Sequence, residues 1–380
     1  MTRLRRAAWP ASLLVAAAAC TPFRAPEAPS ASTAGAESVV PPSPAAAPEP
    51  PPRVAFAAHL DAPIPEGGTV VWCATLQMAW DGMRRDFVGD GPLVLGPPAS
   101  RELSAAMSAA RLPEDAVDPA SVAVAVGPGP ETSARFAREV LERFGARVEM
   151  PEVEPQEHVA LAWLQKELLF PHAFEVFDRG LRFAGSERTL RAFGINKSSR
   201  VTTLRDIRGQ VVVHRGIEEF DPMTPREEGP SPAEFVLELA VRGEGDRLLI
   251  GRRAPGPTLR AAWEAVRRDA SGPGKPLPEH SIVGIPRFDF DRTQRFPELE
   301  GPLEMPPVRD ARVRLAMQRC AFRLDERGAL LQSKGGFRNL KGGVPTFLCD
   351  RPFLLALVRR GAEVPYLLVW VGNDDLLVAE

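Results

Sequence analysis

Cys349-Asp-Arg-Pro-Phe-Leu-Leu-Ala-Leu-Val358, followed after a short link by Pro365-Tyr-Leu-Leu-Val-Trp-Val371, closes the chain with two unbroken apolar runs. Each is of strand length, and Arg359-Arg-Gly361 between them is turn-like. Short apolar runs bounded by turn residues read as strands. These runs fall in the β-rich stretches 346–359 and 364–371, and the same character recurs upstream at 210–215, 234–242, 247–251, 282–290 and 312–324. In the first half, helical spacing takes over. Leu76, Ala79, Trp80 and Met83 share one stripe after the short apolar run Thr69-Val-Val-Trp72, and residues 101–112 form an Ala-rich helix stopped by Pro113. Ser121-Val-Ala-Val-Ala-Val126 alternates as a strand, with Gly127-Pro-Gly-Pro130 read as a turn. Phe136, Val140 and Phe144 mark a helix over 131–144 that ends at Gly145, with a short strand expected at 147–150. Residues 158–170 satisfy both periods, and helix or strand is left open there. A last helix covers 259–268, with Leu259, Ala262, Trp263 and Val266 inward. Helices early, strands late and few βαβ alternations predict an α+β domain.

The other end of the chain is of a different kind. Arg3, Arg5 and Arg6 precede a short apolar stretch around Leu13-Leu-Val15, and small residues lead into Cys20. A basic start, an apolar run too short to span a bilayer and a small-residue site read as an export signal over 1–19. Its resemblance to the lipobox of bacterial lipoproteins implies cleavage before Cys20 and lipid on its thiol, anchoring the chain to a bacterial outer membrane, periplasmic or surface-exposed. Residues 20–55 are Pro, Ala, Ser and Glu with almost no large apolar side chain. Such a segment cannot bury enough surface to offset its ordering entropy and is expected to be a semi-stiff tether. Residues 56–380 then form the folded domain.

Of the 380 residues 47 are basic and 49 acidic, so no polyelectrolyte surface is indicated and nucleic acid is not an expected partner. The sequence contains no GxSxG elbow, Walker A loop, Rossmann glycine fingerprint or HExxH. His59, His158, His172, His214 and His280 are scattered, and neither a metal nor a cofactor is expected. Asp289 and Asp291 could pair for acid–base work, but Phe288 and Phe290 alternate with them as in a half-buried strand. A non-enzymatic, monomeric protein is expected. Beyond Cys20 the cysteines are Cys73, Cys320 and Cys349, and that odd number leaves at least one thiol unpaired.

Several segments, in order, resemble the serpins. The stretch from Cys349 is similar to the family's "adrPFlflI" strand, and Ser281-Ile-Val-Gly-Ile-Pro-Arg-Phe288 resembles "vslPkF". Residues 312–328, ending in Glu326-Arg-Gly328, resemble the long strand closed by "v.EeG". Ala233-Glu-Phe-Val-Leu-Glu-Leu239 with Arg247-Leu-Leu-Ile250, Leu168-Leu-Phe-Pro-His-Ala-Phe-Glu-Val176 and Val70-Val-Trp-Cys-Ala-Thr75 match three further family segments, covering most of 56–371. Phe170 stands where the family has Trp, and Ala74 where it has Pro. The resemblance implies several antiparallel sheets with surrounding helices. Too few residues separate 150 from 158 for the helix that crosses the serpin central sheet, so one face of that sheet is expected to be more open.

It also implies an exposed reactive loop, about 329–347, hinged at Glu326, Gly328 and Ala329. On cleavage by a protease, a serpin's loop enters the central sheet as a new strand. Counted alternately from the hinge, the inward set is Ala329, Leu331, Ser333, Gly335 and Phe337, none charged. Leu330-Leu-Gln-Ser-Lys334 replaces the usual small alanines, and Gly335-Gly336 is a poor strand interior. The tip, Lys334-Gly-Gly-Phe-Arg-Asn-Leu-Lys-Gly-Gly343, supports three readings. Arg338 or Lys341, the latter before Gly342, is bait for a trypsin-like protease; or Phe337 and Leu340 meet a non-protease partner; or the loop has no target. The expected function is protein binding, directed at a serine protease. The alternative is a non-inhibitory serpin-like surface scaffold.

Overall fold

The computed structural model describes residues 13–17, 53–89, 91–150, 152–155, 157–196, 201–217, 232–243, 245–304, 312–328 and 346–380. In chain order the principal elements begin with β1 (Leu13–Ala17), β2 (Val54–Phe56), β3 (Thr69–Cys73), α1 (Ala74–Val88), α2 (Pro98–Ala109), β4 (Val122–Pro128), α3 (Gly129–Phe144) and β5 (His158–Leu164). They continue with β6 (Ala192–Ile195), α4 (Val201–Gly209), β7 (Val211–Arg215), β8 (Phe235–Leu239), β9 (Asp246–Arg252) and α5 (Leu259–Asp269). The last are β10 (Ile282–Pro286), β11 (Phe288–Arg295), β12 (Ala316–Leu324), β13 (Thr346–Leu348), β14 (Phe353–Arg359) and β15 (Leu367–Val371).

The two closing apolar runs form the antiparallel pair β14–β15, in register from Phe353 opposite Val371 to Leu357 opposite Leu367. They lie in the middle of an eight-stranded sheet containing the run β7-β8-β9-β14-β15-β3-β2. With neighbours on both edges and cover on both faces, no position of β15 can be polar, and all five of its residues are buried. A five-stranded sheet runs β11-β12-β1-β5-β4, and a four-stranded one contains β13-β10-β6. This is an α+β fold of several sheets with few helices, as the serpin resemblance implies. No described residue between Phe144 and His158 is helical, in keeping with the missing crossing helix.

Several expectations need correction. Residues 147–150 are irregular, because Val148, Met150 and Val153 pack on the five-stranded sheet as a strap instead of joining its edge. The open segment 158–170 resolves to strand at His158–Leu164, where six of seven positions are buried. The turn expected at 127–130 is instead the join between β4 and α3. Ordered structure begins before residue 56, since Val54, Ala55 and Phe56 pair in parallel with Thr69, Val70 and Val71. The sheet face is also less open than expected. Phe136 and Val140 of α3, with the strap, cover Ala123, Ala125, Val159, Leu161 and Trp163, and Met317 of β12 borders this cluster.

Candidate functional site

At the centre of the five-stranded sheet is a slot one strand wide. β1 fills it, antiparallel to β12 with Leu14 opposite Arg319 and Ala17 opposite Ala316, and antiparallel to β5 with Leu13 opposite Leu164 and Ala17 opposite Ala160. The two flanking strands therefore run parallel to each other. An extended segment between them satisfies a row of amide and carbonyl groups on each side, which buried backbone requires. Residues 13–17, read as the apolar centre of an export signal, are uncharged and extended and meet that requirement. Beneath the slot, α1 packs on β4, β5, β1 and β12.

The polar core under the slot comes from β12. Its burial alternates strictly, with Ala316, Gln318, Cys320, Phe322 and Leu324 inward. Gln318, fully buried, donates to the Cys73 carbonyl at 3.1 Å and to Thr75 Oγ1 at 2.8 Å, joining β12 to the start of α1. Sequence reasoning passed over Gln318; an amide on the buried register of an otherwise apolar stripe was the available signal.

Residues 325–328, where the hinge is expected, continue β12 directly. Asp325 and Gly328 close a two-residue turn, with Asp325 N–H donating to Gly328 O at 2.9 Å and Gly328 N–H to Asp325 O at 3.2 Å. The turn is fastened to the segment after β5. Phe170 N–H donates to Arg327 O at 2.9 Å and Phe174 N–H to Glu326 O at 2.7 Å. The rings of Phe170 and Phe174 meet edge to face at 4.8 Å. Arg287, between β10 and β11, donates to Glu326 Oε2 at 2.6 Å, and both side chains are nearly buried. Burial pushes the neighbouring Asp325 carboxyl up. Of the predicted hinge residues Glu326 and Gly328 are thus held in place. Ala329, Arg338, Lys341 and Gly342 lie outside the described residues, as does Cys20. The chain returns as β13, parallel to β10 from Ile282 opposite Thr346 to Gly284 opposite Leu348.

Away from the slot, a cleft of about 480 Å³ is lined by His214, Glu238, Arg247, Arg360 and residues 270–274. Among the described residues no group of three or more His, Cys, Asp or Glu is placed to hold a metal ion. Asp289 and Asp291 are exposed on the outer register of β11, and Asp291 pairs in bidentate fashion with Arg319 at 2.8 and 2.5 Å. No described helix is long and apolar enough to cross a membrane.

No family model matches the sequence, and no curated protein matches it either. Among solved structures the fold is similar to a thermophilic serpin, tengpin, in the native state, at 9% identity over 82% of this chain and 90% of that chain, with TM-score 0.44. It is also similar to thyroxine-binding globulin in complex with thyroxine, at 11% identity over 67% of this chain and 76% of that one, with TM-score 0.34. A human thyroxine-binding globulin complexed with thyroxine aligns at 11% identity over 64% of each chain, with TM-score 0.37.

Proposed function

We propose that this chain is an exported, lipid-anchored, non-enzymatic protein of serpin-like fold that binds a serine protease through the loop 329–347 and can take that loop into the slot between β12 and β5. One observation carries the reading. Two parallel strands stand one strand apart, and one of them runs through a fixed hinge into the loop. Continuing the register set by Asp325 opposite Gly328 puts Ala329, Leu331, Ser333, Gly335 and Phe337 opposite Leu324, Phe322, Cys320, Gln318 and Ala316. Those five β12 residues are the buried ones, so the uncharged set of the loop falls on the inward side.

Arg3, Arg5, Arg6 and the small residues before Cys20 support export and lipidation at Cys20. Cleavage before Cys20 removes β1 with the signal and leaves the flanking strands with unpaired edges, which a cleaved loop would satisfy. Lys341–Gly342 and Arg338–Asn339 are the candidate bait bonds. Mixing the chain from residue 20 with trypsin-like proteases is expected to give a band of summed mass that survives a denaturing gel. Cleavage within 334–343 with the protease left fully active would sink the inhibitory reading. The scaffold reading is favoured by β1 itself, because a chain that keeps this strand has no room for another.

A further inference from the structure

We propose that Cys73 and Cys320 form a disulfide that ties the start of α1 to β12. Cys73 ends β3 in the eight-stranded sheet and is the N-cap of α1; Cys320 is on the inward register of β12. Both are fully buried, and each thiol lies close enough to the other to perturb its titration. Gln318, two positions before Cys320 on the same face, holds the strands together through the Cys73 carbonyl and Thr75. The pairing is thus fixed by three groups, not by the sulfurs alone.

The two thiols are shifted in opposite directions, and the lower one is the readier attacking thiolate. Burial pushes the Cys73 thiol up, but the hydrogen bond from Cys320, the Thr75 amide and hydroxyl and the Ala74 amide together bring it below the ordinary thiol value. Thr75 Oγ1 lies 3.6 Å from Cys73 Sγ. Cys320 is pushed well up, by its hydrogen bond to Cys73 and by burial. Cys349 has no such partner among its neighbours: it sits after β13 beside Asp350 and Arg252, and burial pushes its thiol up.

The oxidant is a disulfide donor, protein or small molecule, met before or during burial of the pair. The Cys73 thiolate attacks one donor sulfur, forming a mixed disulfide and releasing one donor thiol. Cys320 then loses its proton and attacks the Cys73 sulfur, releasing the second donor thiol. Two protein thiols are oxidised and one donor disulfide is reduced. The inference does not rest on protease binding.

The test is refolding of the full chain in oxidised and reduced glutathione, followed by alkylation and peptide mapping without reductant. The expected result is one linked peptide pair containing Cys73 and Cys320, lighter by two hydrogens, with Cys349 alkylated. The melting midpoint of the oxidised chain should exceed that of the reduced chain by roughly 5 °C or more. That difference should vanish in Cys320→Ala and persist in Cys349→Ala. If all three thiols are alkylated after refolding, or if Cys349 or Cys20 is found in the linkage, the proposal is overturned. The mapping of the unsubstituted chain decides this even where a variant fails to fold.

Discussion

Gly328 shows how tightly the turn after β12 is built. Its φ is +122°, and a Cβ there would lie 2.2 Å from Leu168 O and 2.8 Å from Leu169 Cα. Both obstacles are backbone and cannot rotate away, so Gly328→Ala is expected to cost about 2 kcal/mol or more, read from the urea midpoint. The Arg287–Glu326 pair behaves differently. Removing one partner strands a buried charge, so Arg287→Met should cost about 3 kcal/mol, while Arg287→Met with Glu326→Leu should recover most of that loss. Glu238 gives the pH dependence. Burial pushes its carboxyl up, but hydrogen bonds from His214 and Arg247 and the charges of Arg247 and Arg360 bring it down to about 2 from 4.5. Its contribution to stability is therefore complete above 4.5 and lost as pH falls toward 2. Acid titration of the melting midpoint should show this loss in the parent and a flatter curve in Glu238→Gln. Gly328 and Glu326 were singled out in the sequence only through the family segment they end, and the structure places both in the turn after β12. Arg287 and Gln318 were not, since their partners lie far along the chain and only folding brings them together.

Among the elements, those whose pattern is local were the easiest to read. α5 carries its own start signal and stripe: Thr258 Oγ1 accepts from Ala261 N–H at 3.2 Å, and Leu259, Ala262, Trp263 and Val266 are buried. Thr258→Ala should cost about 1 kcal/mol, measured by thermal unfolding, with the Trp263 indole bond to the Glu363 carbonyl at 2.9 Å keeping the helix docked. α3 likewise ends at Gly145 in the left-handed region, as its glycine announced. β5 was ambiguous because Val159 to Leu164 are all buried, and a strand covered on both faces loses the alternation that marks it. Residues 147–150 failed for the opposite reason. Alternating apolar side chains fit a strap lying on a sheet as well as a strand within it.

For the molecule as a whole, the α+β class with several sheets was legible by resemblance, but the strand order was not, nor was the filling of the slot by β1. Nothing in residues 13–17 announces a place between two distant strands, since an apolar export signal and a buried strand share one composition. The slot separates two forms of the chain by stability. Cutting at 334–343 in a chain that begins at residue 20 should raise the melting midpoint, because the freed segment gains two paired edges. The same cut in a chain that keeps residues 1–19 should leave the midpoint unchanged. A scanning calorimetry series on the four species decides the matter, and equal behaviour of both lengths would mean that the slot plays no part.

The irregular strap between α3 and β5 has a mechanical consequence. Where a rigid rod would have to be lifted off before β5 and β12 could part, this molecule has a few irregular residues, tied to the start of β12 by the ion pair of Glu157 with Arg314 at 2.9 Å. Its apolar side chains press on β4 and β5, and Met317 of β12 borders the same cluster. Once that single ion pair opens little else holds the strap to β12, and amide exchange along β5 should outpace that along β14, which is locked within the larger sheet.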